Sequence, residues 1–137
     1  MEQEEYINTR VDIDLIWYNN QAKLYRGLHI LSRILIIFLS SSITVLTGIE
    51  FKNKNIFIAI LSTLIVIITG ITELIKFKEQ WYEYRTTAET IKSEKIYFLT
   101  STEPYNSIDN FNLFVKNYEL ILKNENKNWR NYISNKS

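Results

Sequence analysis

Two stretches of this chain carry no charge, and they set its architecture. Between Arg33 and Glu50 lie sixteen uncharged residues, ILIIFLSSSITVLTGI, and between Lys54 and Glu73 lie eighteen, from Asn55 to Thr72. At about 1.5 Å of rise per residue these measure roughly 24 and 27 Å as helices, close to the hydrocarbon thickness of a bilayer. Leu28, Ile30 and Leu31 extend the first run past Arg33, whose long stem can snorkel to the interface. The second run is apolar all round, so burial in a soluble protein would need neighbours on every side, and only three other helical segments remain to supply them. The pattern therefore predicts two membrane spans, at about 28–49 and 55–73. The competing expectation is a soluble bundle in which both runs are core helices.

After the second run the periodicity changes from uniform to one-sided. Steps of three and four from Leu74 reach Phe77, Trp81, Tyr84, Ala88, Ile91, Lys95 and Phe98, a seam broken only by Lys95. Glu79, Glu83, Arg85, Glu89 and Lys92 fall off that seam, and Arg85 with Glu89 has the i,i+4 spacing that favours a helix. The second span is thus expected to run on as one helix over about 74–101, ending before Pro104. Asn106 or Ser107 then caps another helix over about 106–133, with Ile108, Phe111, Val115, Tyr118, Leu122, Glu125, Trp129 and Tyr132 on one face. An N-terminal helix over about 8–27 presents Ile13, Trp17, Leu24 and Leu28. The expected fold is all-α: a two-transmembrane helical hairpin whose second span continues into a long helix that packs on the C-terminal and N-terminal helices, in a single domain over 1–137. Tyr82 and Tyr97 lie off the seam and have no assigned place.

Charge orients the hairpin. Lys23, Arg26 and Arg33 flank the first span on its N-terminal side and Lys76, Lys78 and Arg85 follow the second, six bases against the two of the connecting loop, Lys52 and Lys54. Bases concentrate on the cytoplasmic side, which places both termini there. The acidic, polar start MEQEEYINTR lacks the basic and apolar regions of a cleavable signal peptide.

Composition narrows the chemistry further. Sixteen basic against fifteen acidic residues give no field to recruit nucleic acid. With no cysteine and one histidine, His29, neither a disulfide framework nor a metal cluster of His and Cys is expected. Three scattered glycines make no phosphate loop or nucleophile elbow, so no enzyme, catalytic residue, metal or cofactor is expected. His29 is read as a neighbour of lipid headgroups.

Within the spans, Ser40, Thr44 and Thr47 share one face of the first, and Ser62, Thr69 and Glu73 lie nearly along one face of the second, with Thr72 beside them. Two readings stand for these groups. They line a wet path, with Glu73 at its mouth attracting cations; or the hydroxyls bond backbone carbonyls and Glu73 pairs with a base such as Lys76 at the interface. Two spans cannot enclose a channel, so the first reading requires a homo-oligomer.

Three strings carry a resemblance: DLIWYNNQAKLYRGLHILSRIL into the first span, ITELIKFKEQWYEYRTTAETIKSEKIYFLTSTEPYN after the second, and LFVKNYELILKNENKNW near the end. Together they cover about residues 10–130, and the order Trp81, Tyr84, Arg85, Ala88, Glu89, Lys92, Glu94, Pro104 is their most specific part. The chain resembles the SLATT superfamily of small prokaryotic two-transmembrane proteins, in particular a branch whose domain has no known function. The resemblance implies a pore-forming effector of prokaryotic conflict, including antiphage defence, whose trigger is expected to come from another chain, such as a separate nucleotide-signalling or sensor protein, or from a small ligand. A housekeeping channel is also compatible with it. From the residues alone, the alternative to a pore is a non-conducting membrane scaffold whose cytoplasmic bundle recruits a partner.

Overall fold

The computed structural model describes residues 2–135, apart from the side chains of residues 129–133, and within that range it contains helices and no strand. The order is α1 (Gln3–Tyr6), a π-helical turn (Ile7–Val11), α2 (Asp12–Thr47), α3 (Lys54–Ile75), α4 (Phe77–Leu99) and α5 (Asn110–Ser134). Residues 8–27 and 28–49, expected as a helix and a span, are for the most part the single helix α2. The chain forms two compact units, one of residues 1–21 and 83–137, the other of residues 22–82.

The unit of residues 1–21 and 83–137 holds an aromatic core. Val11, Ile91, Tyr105, Phe114 and Tyr118 are fully buried, with Ile7, Tyr18, Ala88 and Phe98 nearly so. Phe114 stacks on Phe98 at 4.6 Å between centroids and on Tyr118 at 6.3 Å, and meets the edge of Tyr105 at 5.9 Å. Such pairs add to the stabilisation that burial of their area already supplies. Two charged residues interrupt the apolar seams of α4 and α5, and each has a partner on α2. Lys95 is paired with Asp12, and Glu125 accepts a hydrogen bond from the Tyr18 hydroxyl at 3.3 Å.

Several positions differ from the periodic expectation. Ile108 is fully exposed because α5 starts at Asn110, with the Asn112 amide donating to the Asp109 carboxylate at 2.6 Å in its first turn. The residues between α4 and α5 are used instead to turn Tyr105 into the core. On the N-terminal side the inward face carries Ile7, Val11, Leu15 and Tyr18, while Ile13 and Trp17, expected there, are about half exposed. Both sets recur at helical spacing, and the set with polar partners nearby is the buried one: Asp12 and Asp14, beside it, engage Lys95 and Tyr118.

The unit of residues 22–82 is apolar and mostly open. A row of partly or fully buried positions on α2 runs Ala22, Tyr25, His29, Ser32, Ile36, Leu39, Ile43, Leu46, with Leu28 and Ser42 also partly buried beside it; those on α3 run Lys54, Ile58, Leu61, Ile65, Ile68, Thr72. Both follow alternating steps of three and four, the period of helices packed along a shared seam. Apart from that seam most apolar side chains of α2 and α3 are exposed, among them Phe38 at 69% and Val66 at 70%. The most hydropathic eighteen-residue window of each of the two helical stretches is 0% buried. Both are long and apolar enough to cross a membrane, and neither is a buried core helix.

The helix expected to continue out of the second span is divided by one residue. Lys76 has φ 52°, in the left-handed region; its N–H closes α3 on the Thr72 carbonyl at 2.9 Å, and its carbonyl accepts from the Gln80 N–H at 3.0 Å as α4 begins. This is a left-handed helix stop without the usual Gly or Asn. Leu74, expected on the seam, is 73% exposed just before the break, whereas Phe77 is buried just after it. At the N-terminal end of α4, Arg26 lies over the Trp81 ring at 5.7 Å, and Trp81 stacks on Tyr82 at 4.7 Å.

Candidate functional site

Ser40, Thr44, Thr47, Ser62, Thr69 and Glu73 are all exposed, and each follows directly on a seam residue of its helix: Leu39, Ile43 and Leu46 on α2, and Leu61, Ile68 and Thr72 on α3. A residue one step along an α-helix is rotated by about 100°, so on both helices these groups flank the seam. Thr72 belongs to the seam itself.

Most of the hydroxyls donate inward. Ser40 bonds the Ile36 carbonyl at 2.7 Å, Thr44 that of Ser40 at 3.2 Å, Thr47 that of Thr44 at 2.7 Å, and Ser62 that of Ile58 at 2.8 Å. Thr72 donates to Ile68 at 2.6 Å and is also 2.9 Å from the Thr69 carbonyl. Backbone bonding is one of the two roles the sequence allows them. It also satisfies each proton while leaving oxygen lone pairs outward, which lowers the cost of placing a hydroxyl in an apolar medium.

At one end of the same unit a cleft of about 160 Å³ is lined by His29, Ser32 and Arg33 from α2, by Thr69, Thr72 and Glu73 from α3, and by Lys76, Lys78 and Glu79 at the start of α4. Three of the predicted groups, Thr69, Thr72 and Glu73, therefore meet in one place; Ser40, Thr44, Thr47 and Ser62 do not line it. Arg33 and His29 were not among the predicted lining groups. The signal for Arg33 is present in the sequence, since Arg33 opens the first uncharged run and Glu73 closes the second, which brings these charges to the same end of a folded pair. Ser32 donates to the Leu28 carbonyl at 2.7 Å, so the donors the cleft offers to a visitor are chiefly its bases.

In the unit of residues 1–21 and 83–137 a second set of polar groups is built into the core. Four tyrosines each present a hydroxyl to a carboxylate: Tyr6 to Glu119 at 3.3 Å, Tyr18 to Glu125 at 3.3 Å, Tyr105 to Glu94, and Tyr118 to Asp14. Asn117 donates to the Tyr105 oxygen at 2.9 Å and to Glu94 at 3.3 Å. Burial, reinforced by the hydrogen bond to Glu94, pushes the Tyr105 phenol up to about 12. Burial likewise raises Tyr18 and Tyr118, with the charges of Glu125 and Asp14 adding to it. The Glu125 carboxyl is raised by desolvation and by the charge of Glu83, against the Tyr18 hydrogen bond, which lowers it. These tyrosines stay protonated at neutral pH and act as fixed donors that hold three helical segments in register.

The predicted packing seam maps onto this core in part. Ala88, Ile91, Phe98 and Tyr118 are buried, Tyr84 and Phe111 are half-buried against the core, and Phe77 and Trp81 belong to the unit of residues 22–82. The side chain of Trp129 lies outside the described residues. Periodicity alone missed Phe114, Tyr105 and Tyr18. Tyr82 and Tyr97, unassigned in the sequence, are exposed at 52% and 45%.

No curated protein and no solved structure was found to match the chain. One family model does match, over residues 14–112, that of a protein of unknown function designated DUF4231. That span takes in α3, α4 and nearly all of α2, including the cleft and about half of the aromatic core. The chain belongs to the DUF4231 family.

Proposed function

We propose that this protein is a homo-oligomeric, pore-forming integral membrane protein in which α2 and α3 cross the bilayer as an antiparallel hairpin with both termini in the cytoplasm. The observation that carries the proposal is the placement of polar groups relative to the seam. On both helices Ser40, Thr44, Thr47, Ser62, Thr69 and Glu73 lie one residue after seam positions. In an antiparallel hairpin a forward rotation of about 100° on each helix points to the same side of the pair. The residues one step before the seam point to the other side. They include Leu35, Phe38 and Val45 on α2 and Phe57, Ile60, Leu64, Ile67 and Ile71 on α3, all exposed. Ser42 is the polar exception on that side and Ile30, Ile37, Ala59 and Val66 the apolar ones on the first.

A hairpin of this kind has one lateral side suited to hydrocarbon and one that is not. Two spans cannot enclose water, since every spanning backbone is a helix and a conduit needs several of them around it. Copies arranged with their hydroxyl sides inward bury the polar groups and leave Phe38, Phe57 and Ile67 to lipid. Glu73, in the cleft at the end of the spans, then stands at the cytoplasmic mouth, where carboxylates favour cations. The bases flanking the spans, six on one side against two in the loop, orient the hairpin. The likeness to the SLATT superfamily extends the reading to an effector of prokaryotic defence, with its trigger supplied by a separate sensor protein.

Purified protein in liposomes tests this. Ion leakage is expected, and Glu73→Gln should reduce the preference for cations over anions. Liposomes that stay sealed at every protein density overturn the proposal, and leakage whose ion preference ignores Glu73→Gln removes Glu73 from the path.

A further inference from the structure

We infer that Arg33 of one copy pairs with Glu73 of the next, so that the cytoplasmic end of the oligomer carries a ring in which the two charges alternate. The inference rests on the pore reading and names the contact that assembles it. Arg33 and Glu73 are both exposed, both line the cleft at the end of the spans, and both stand one residue after a seam position, Ser32 and Thr72, on the hydroxyl side of the hairpin. Elsewhere the chain satisfies several opposite charges internally: Lys54 with Glu50 at 2.9 Å, Arg85 with Glu89 at 3.3 Å, and Lys95 with Asp12. Among the described residues no such ion pair joins Arg33 to Glu73, although they share one cleft.

Charges at the edge of the hydrocarbon are costly when unpaired, and a guanidinium offers a carboxylate two parallel donors. Within one copy the two groups sit on different helices, Arg33 on α2 and Glu73 on α3. A neighbour that brings its α2 beside this α3 therefore presents an arginine to the glutamate, and its own glutamate remains for the following copy. That contact is head-to-tail, and a head-to-tail contact with rotational closure makes a ring. Each Glu73 then lies between two arginines at the mouth of the pore.

The chain has no cysteine, so introduced thiols report without background. Arg33→Cys and Glu73→Cys are placed in separate chains, co-expressed and oxidised in membranes, where a disulfide between the two kinds of chain can only join different copies. Abundant mixed dimers are expected, with few from Leu35→Cys and Ile71→Cys on the opposite side. In parallel, Arg33→Glu or Glu73→Arg alone should weaken assembly in detergent by about tenfold or more, the scale of losing one partner of a desolvated charge pair. The double exchange Arg33→Glu/Glu73→Arg should restore it, which a merely misfolded variant would not. Equal cross-linking from the Leu35 and Ile71 positions, or a double exchange no better than the singles, overturns the inference. Flotation of the wild type with liposomes separates the two levels: protein that floats but fails these tests sinks the ion-pair ring alone, and protein that does not float sinks the membrane reading with it.

Discussion

Phe114→Ala and Ile108→Ala, compared side by side, test the packing of the aromatic core. Periodicity read along α5 places Ile108 on the core face and passes over Phe114; the structure reverses both, with Ile108 at 105% and Phe114 at 0% exposure. Truncating a fully buried phenylalanine to alanine costs about 3–5 kcal/mol through lost transfer energy and the cavity left behind. Phe114 also makes ring contacts with Phe98, Tyr105 and Tyr118, each worth about 0.5–1.5 kcal/mol beyond area. The expectation is therefore the upper part of the range, about 4–5 kcal/mol. That is a large share of the roughly 5–15 kcal/mol that holds a typical domain together. Truncating a fully exposed isoleucine outside any helix should stay within about 0.5 kcal/mol. Hydrogen exchange in detergent micelles, read by mass spectrometry on peptides from α4 and α5, measures the local opening energy. Phe114→Ala should cut protection by about a thousandfold, since each tenfold corresponds to about 1.4 kcal/mol, while Ile108→Ala leaves it unchanged. Equal losses for the two variants would refute the core assignment.

Glu125 and Lys76 give two further expectations. The raised Glu125 carboxyl favours its protonated form in the folded protein, so its stabilisation is complete below the unfolded value of 4.5 and is lost as pH rises through the folded one. Acidifying from neutral toward that window should therefore raise the thermal midpoint, after subtraction of the other carboxylates by comparison with Glu125→Gln, which should flatten this component; identical pH profiles for both proteins would contradict it. At Lys76 the left-handed backbone costs a side-chain-bearing residue about 1–2 kcal/mol, a penalty glycine escapes and a β-branched residue worsens. Lys76→Gly should be as stable as the wild type or more so, and Lys76→Val less stable by about 1–2 kcal/mol in thermal melts; Val proving the better of the two would refute the left-handed break and favour a straight helix through residue 76.

The core of residues 1–21 and 83–137 was only partly legible in the sequence, for a physical reason. A core-facing helical face is more than 100° wide, so Phe114 and Val115 can both belong to it, and a strict three-four step chooses one of them arbitrarily. Near the N-terminus two apolar stripes compete, and nothing local ranks Ile13 and Trp17 below Val11 and Tyr18. What ranks them is whether Asp14 and Asp12 can reach Tyr118 and Lys95, more than eighty residues away along the chain. The two polar interruptions of the seams, Lys95 and Glu125, were visible as anomalies, but their partners were not.

The candidate site divides in the same way. Ser40, Thr44, Thr47, Ser62, Thr69 and Glu73 could be picked out and assigned to helical faces from spacing alone, because 3.6 residues per turn fixes which residues share a side. That Arg33 and His29 join Thr69, Thr72 and Glu73 in one cleft depends on which turns of α2 and α3 lie together.

By itself the sequence determined the helical class, the two uncharged segments and their length, and the change from an all-round to a one-sided apolar pattern, since these follow from side-chain hydrophobicity and helix geometry. Only the tertiary structure decided which apolar stripe is buried, where α5 begins, the break at Lys76 and the company Glu73 keeps. Each of these turns on contacts between residues remote in the chain, or on a single backbone angle, and neither leaves a periodic trace.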